Sequence, residues 1–156
     1  MAAEYLHDLL TAAGVEAELV ARVPERANLV ARIPGTDRDA PSLAFVGHTD
    51  VVPADARNWT HPPFEGVVDD DGYLYGRGAI DMKDEVAARA VAMAELARQG
   101  FRPRGDLWFI AVADEKDGPP TWACAGCSSN GPTSDPRWRS TRVAASGSPS
   151  PTAGRH

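Results

Sequence analysis

The chain has 156 residues, enough for one domain with a core of its own, and its 43% hydrophobic and 24% charged content describes a globular protein rather than a disordered or fibrous one. No apolar stretch approaches the roughly 18 residues of a membrane span, and the start Met1-Ala2-Ala3-Glu4 has acid where a secretory leader needs a basic region. A net charge of −6 argues against nucleic acid as a partner, and two cysteines make no disulfide framework, so the expected location is cytoplasmic.

Tyr5, Leu6, Leu9 and Leu10 recur at helical spacing, which predicts a helix over 2–13 closed by Gly14 as a left-handed cap. Short apolar runs at 18–23 and 28–33 read as strands, the second stopped by the turn dipeptide Pro34-Gly35. The run 42–47 is uninterrupted, as in a central strand covered on both faces. A short strand is predicted at 73–75, after the Asp69-Asp70-Asp71-Gly72 turn. The best helix covers 84–99: Val86, Ala90, Met93, Leu96 and Ala97 form its stripe, and Gly100 ends it. A second buried strand follows at 106–113. Strand, long helix, strand is the grammar of an α/β sheet covered by helices.

The composition breaks near Gly118. Residues 1–118 hold 12 Lys and Arg against 21 Asp and Glu, a balance of −9, whereas 119–156 hold 4 against 1, a balance of +3. The later segment contains seven Ser, six Pro and both cysteines, but no Leu, Ile, Phe, Tyr or Met. Such a segment cannot bury enough apolar surface to offset its ordering entropy and is expected to be a disordered tail. Its Cys124-x-x-Cys127 is half a zinc knuckle without a second pair.

Polar residues collect at the predicted strand ends. His48-Thr49-Asp50 follows the first buried strand, Asp114-Glu115-Lys116-Asp117 follows the second, and Gly76-Arg77-Gly78-Ala79-Ile80-Asp81-Met82-Lys83 precedes the long helix. In open α/β sheets sites form beyond the carboxyl ends of strands, so the three clusters can converge in one cleft. Imidazole and carboxylate are natural zinc ligands, and an extra carboxylate can activate bound water. His48 and Asp50, two apart on a strand, point to one side, which lets Asp50 brace the imidazole. Taken alone, His48-x-Asp50 is more often a surface polar pair than a metal site, and Asp114-Glu115-Lys116-Asp117 is normally a solvated turn. Gly76-x-Gly78 lacks the third glycine of a phosphate loop, and Asp81 in its place would repel a pyrophosphate.

In order and spacing, Gly47-His48-Thr49-Asp50-Val51-Val52-Pro53, Trp59 with Pro62-Pro63-Phe64-Glu65-Gly66, the Gly76-to-Lys83 block and Ala113-Asp114-Glu115 resemble one family. It is the zinc-dependent amidohydrolases and exopeptidases that include acetylornithine deacetylase, succinyl-diaminopimelate desuccinylase, aminoacylase and glutamate carboxypeptidase. The likeness covers roughly residues 3 to 118, the N-terminal part of the catalytic domain. It implies a three-layer α/β/α sandwich holding two zinc ions, with Co2+ or Mn2+ as possible substitutes, and a separate dimerisation domain. By motif position His48 would ligate one zinc, Asp81 would bridge both and Asp50 would orient His48. Glu115 would be the general base in hydrolysis of an amide bond of a small acylated amino acid or peptide. Arg77 is expected to pair with nearby carboxylates, and His61 is given no role.

The sequence also departs from the family. Lys116 stands where the resemblance implies a second glutamate ligand, and an ammonium has no lone pair to donate. The Asn-Glu-Gly motif, the late histidine ligand and the dimerisation domain are absent. These departures imply a truncated catalytic domain over 1–118 that is itself inactive. The alternative is a non-catalytic fragment that binds metal weakly or serves as an interaction module. Back-translating 120–146 with G/C-rich codons and shifting the frame by two nucleotides permits a string that contains Asn-Glu-Gly. The segment from about 119 onward is therefore expected to be an out-of-frame translation, which the DNA would test.

Overall fold

The computed structural model describes residues 2–116 other than Arg22. The 119–156 segment, with its expected disorder, its cysteine pair and its out-of-frame origin, lies outside the described residues. Helix α1 (Ala2–Ala12) turns Leu6 and Leu10 inward. It ends as its sequence predicts: Gly14 takes φ 82°, and the Val15 N–H donates back to the Leu10 carbonyl at 3.0 Å. The chain runs straight from this cap into β1 (Glu16–Val20), so that strand begins two residues before the predicted 18–23 run.

Strand β2 (Asn28–Ile33) pairs antiparallel with β1 and with β6 (Leu107–Val112), while β3 (Leu43–His48) lies parallel to β6. The order is β1-β2-β6-β3. The apolar run at 42–47 suggested a central strand, but among the described residues β3 is at the edge, with Leu43 and Val46 exposed. The uninterrupted run therefore reports neither the number of paired neighbours nor, at Leu43 and Val46, burial, because both depend on what packs against the strand. Arg89 Nη1 donates to the Val46 carbonyl at 3.1 Å, which occupies one backbone group of this strand.

Parallel β3 and β6 need a long crossover. It contains the small hairpin β4 (Val67–Val68) and β5 (Leu74–Tyr75), a tight turn at Ala79–Lys83 and helix α2 (Asp84–Arg98). Val86, Ala90, Met93 and Ala94 of α2 meet Leu6 and Leu10 of α1 over Leu29, Ala31, Phe109 and Ala111 of the sheet, one continuous core. Leu96 and Ala97 are only partly buried against it. The fold is mixed α/β, and both described helices cover the same face of the sheet.

Glycine matters most where backbones cross. A Cβ on Gly105 would fall inside the contact envelope of the Pro41 carbonyl, and one on Gly35 would lie 2.5 Å from the Gly105 carbonyl carbon. This close approach lets Thr36 N–H reach the Pro103 carbonyl at 3.0 Å and Asp37 N–H reach that of Arg104 at 2.8 Å. Gly105→Ala is expected to destabilise the fold by about 1–3 kcal/mol, because overpacking outweighs the smaller entropic gain of leaving glycine. A lower urea midpoint with an unchanged slope checks this.

Candidate active site

The last residues of the parallel pair, His48 and Val112, are partners in register, so the loops that follow leave side by side. Thr49 N–H donates to the Val112 carbonyl at 2.7 Å, and Lys116 N–H donates to Asp50 Oδ2 at 2.6 Å. These bonds tie the loop after β3 to the loop after β6. The antiparallel neighbour contributes as well: Asn28, at the start of β2, accepts from Ala113 N–H at 2.8 Å. Arg26 Nη1 lies 2.6 Å from Oδ1 of the buried Asp114, a charge contact without hydrogen-bond alignment.

Asn28 and Arg26 were missed in the sequence. The available signal was a polar residue heading an apolar strand, since a buried Asn must find backbone to satisfy. Arg26→Ala is expected to destabilise the protein by about 2–3 kcal/mol, because it strands the Asp114 carboxylate. The loss is smaller than for a fully buried pair because water reaches the Arg26 side chain, which is 36% exposed. Asp114→Asn in the same chain should recover most of the loss, as a double-mutant cycle would show.

The structure gathers the candidate residues. The buried His48 has Nδ1 2.9 Å from the backbone carbonyl of Asp50, so Nδ1–H donates there and Nε2 faces the rim. Asp50 Oδ1 is farther from the same nitrogen, at 3.5 Å. The backbone of Asp50 is therefore the nearer brace, and its carboxylate mainly holds Lys116 N–H. Nε2 lies 3.0 Å from Asp81 Oδ1 and 3.8 Å from Glu115 Oε2. Asp81 is carried in by the tight turn before α2 and is 67% exposed.

Lys116 completes the group. Its Nζ lies 2.9 Å from Asp81 Oδ2 and 3.1 Å from Glu115 Oε2. The bond from Lys116 and the contact with His48 hold the Asp81 carboxyl below the usual carboxylate range. The bonds to Asp81 and Glu115 raise the Lys116 ammonium above the usual lysine value. Both groups are charged at neutral pH.

Beside them is a cleft of about 460 Å³ lined by Val51, Trp59, Tyr75, Arg77, Asp81 and Lys116. Arg77, expected to pair with carboxylates, instead lies over the Trp59 ring at 5.0 Å, where stacking offsets its lost hydration. His61 packs on Tyr75, with ring centroids 4.4 Å apart.

The zinc ions implied by the resemblance do not fit this donor set. A structural or catalytic zinc takes three or more protein ligands. Here Asp81 Oδ2 and Glu115 Oε2 face an ammonium. Among the described residues no three of His, Cys, Asp or Glu are disposed to hold a metal ion.

Comparison with known proteins agrees on the lineage. A probable succinyl-diaminopimelate desuccinylase of Staphylococcus epidermidis is 43% identical over 114 residues, which are 72% of this chain and 27% of that protein. The succinyl-diaminopimelate desuccinylase of Rhodopseudomonas palustris is 50% identical over 92 residues, 58% of this chain and 23% of that one. The chain thus spans about a quarter of the length of these relatives. Human carnosine dipeptidase 1 superposes with a TM-score of 0.59 at 26% identity, over 75% of this chain and 26% of that one. An M20 family metallo-carboxypeptidase of Sulfolobus solfataricus gives 0.57 at 25% identity, over 74% and 25% of the two chains. The profile of Peptidase family M20/M25/M40 matches residues 44–133, more than half of the sequence, and the chain belongs to that family.

Proposed function

We propose that the chain carries the proton-transfer part of an amide-hydrolase site, acting on N-acylated amino acids or short peptides, with N-succinyl amino acids the first to try. The observation that carries this is that His48 Nε2, at the carboxyl end of β3, lies within 4 Å of both Asp81 and Glu115, the latter just past the end of the parallel strand β6. Glu115 lies on the loop after β6, half exposed and next to Lys116, which lines the cleft. It takes a proton from the water that attacks the amide carbonyl and returns it to the leaving amine. Asp50 and His48 are positioning residues: the first fixes the loop that bears Glu115, the second fixes Asp81.

The Trp59 and Tyr75 wall supplies apolar contact for the acyl or side-chain part of the substrate, with Arg77 held against Trp59. The relatives are desuccinylases by name, which supports an N-succinyl substrate. Among the described residues no helix is long and apolar enough to cross a membrane, in keeping with the proposed cytoplasmic location. The described set lacks the ligands for a metal-assisted reaction, and the 156-residue chain is expected to show no turnover of its own.

The lineage function is tested by transplant. Residues 2–116 replace the matching segment of the full-length Rhodopseudomonas relative, with Lys116→Glu, and succinate release from N-succinyl amino acids is followed. Hydrolysis supports the proposal. An inert transplant that folds and takes up zinc overturns it. A second reading, a non-catalytic module, is favoured by Lys116 itself and is what the untouched chain represents.

A further inference from the structure

We propose that Lys116 is a tethered cation: its ammonium takes the charge-neutralising place of a metal ion, so that His48, Asp81 and Glu115 assemble without a divalent cation and reject one. This rests on the reading that these residues form the hydrolytic site of the lineage.

The geometry is that of a delivered charge. The Lys116 backbone is held by Asp50 at 2.6 Å, its side chain is only 25% exposed, and its Nζ reaches one oxygen of each of two carboxylates. Asp81 divides its oxygens between the imidazole and the ammonium. The separations of 2.9 and 3.1 Å are N–H···O lengths, about 1 Å longer than zinc–carboxylate bonds. A zinc ion would have to pull both carboxylates inward while displacing a charge of its own sign.

The charges reinforce the geometry. Asp81 and Glu115 with the Lys116 ammonium offer a dication a net charge of −1, which Lys116→Glu turns into −3. The substitution removes the repulsion and adds a ligand in one step, whereas Lys116→Met removes the repulsion alone.

The test is zinc binding by the full 156-residue chain, measured by equilibrium dialysis with zinc chloride at neutral pH and checked by the visible absorption of cobalt. Lys116→Glu should bind at least about 100-fold more tightly than the wild type, on the scale of a gained ligand and a removed like charge. Lys116→Met should fall between the two. His48→Ala in the Lys116→Glu chain should remove most of the gain, because a ligand is lost at the same site while the repulsion stays absent. Equal zinc affinity in the wild type and Lys116→Glu overturns the proposal, as does a gain that His48→Ala leaves undiminished. If circular dichroism shows Lys116→Glu unfolded, Lys116→Met decides: a rise of about tenfold supports the tethered cation, and no rise overturns it. A transplant that fails to hydrolyse while the zinc difference persists removes the functional reading and leaves this inference in place.

Discussion

Phe109→Ala is expected to lower the stability of the protein by about 3–5 kcal/mol, a large share of the ~5–15 kcal/mol that holds a typical domain together. Phe109 is fully buried near the middle of β6, between Ala31 of β2 and Phe45 of β3 in register. Its ring lies in the same core as Leu10 of α1 and Ala90 of α2, both fully buried, so both helices rest on the region it fills. Small neighbours such as Ala31 and Ala90 cannot swell into the space left behind, and the cavity term adds to the lost transfer free energy. Urea denaturation should show a lower midpoint at unchanged slope. Tyr5→Ala, at a side chain 72% exposed, should move stability by no more than about 0.5 kcal/mol. Equal losses at the two positions would mean that the core is not where the structure puts it.

The elements were largely legible because each carries a local period. The Leu6/Leu10 and Val86/Ala90/Met93 stripes mark the helix faces that are buried, and the 28–33 run is β2. Strand neighbours were not legible. Nothing local says that β2, separated from β6 by more than 70 residues, lies beside it antiparallel, or that the apolar 42–47 run borders the described sheet. The turn at Ala79–Lys83 was read as loop, since its geometry depends on packing against β3 rather than on propensity. At the site, residue types at strand ends pointed to His48, Asp81 and Glu115. The sequence could not say that the nearer acceptor for His48 Nδ1 is the Asp50 backbone, with the carboxylate turned to Lys116 N–H. It showed Lys116 as a missing ligand. Only the folded arrangement brings the ammonium onto two carboxylates at once.

In the Lys116→Glu transplant, Glu115→Gln is expected to lower kcat by about 10²–10⁴-fold, or ~3–5 kcal/mol of transition-state stabilisation, with little change in KM. Glutamine keeps the length and polarity of the side chain but cannot take a proton from water, so the loss falls on the chemical step rather than on substrate binding. Asp50→Asn should be much milder, about tenfold or less. The substitution leaves the backbone carbonyl that receives His48 Nδ1–H, and an amide oxygen can still accept from the backbone N–H at position 116. A carboxylate brace on the imidazole, as the sequence suggested, would instead make Asp50→Asn nearly as harmful as Glu115→Gln. Steady-state kinetics on an N-succinyl amino acid, with circular dichroism to confirm folding, separates the two arrangements. If Glu115→Gln retains more than about a tenth of the parent kcat, another group moves the proton and Glu115 is only a neighbour of the site.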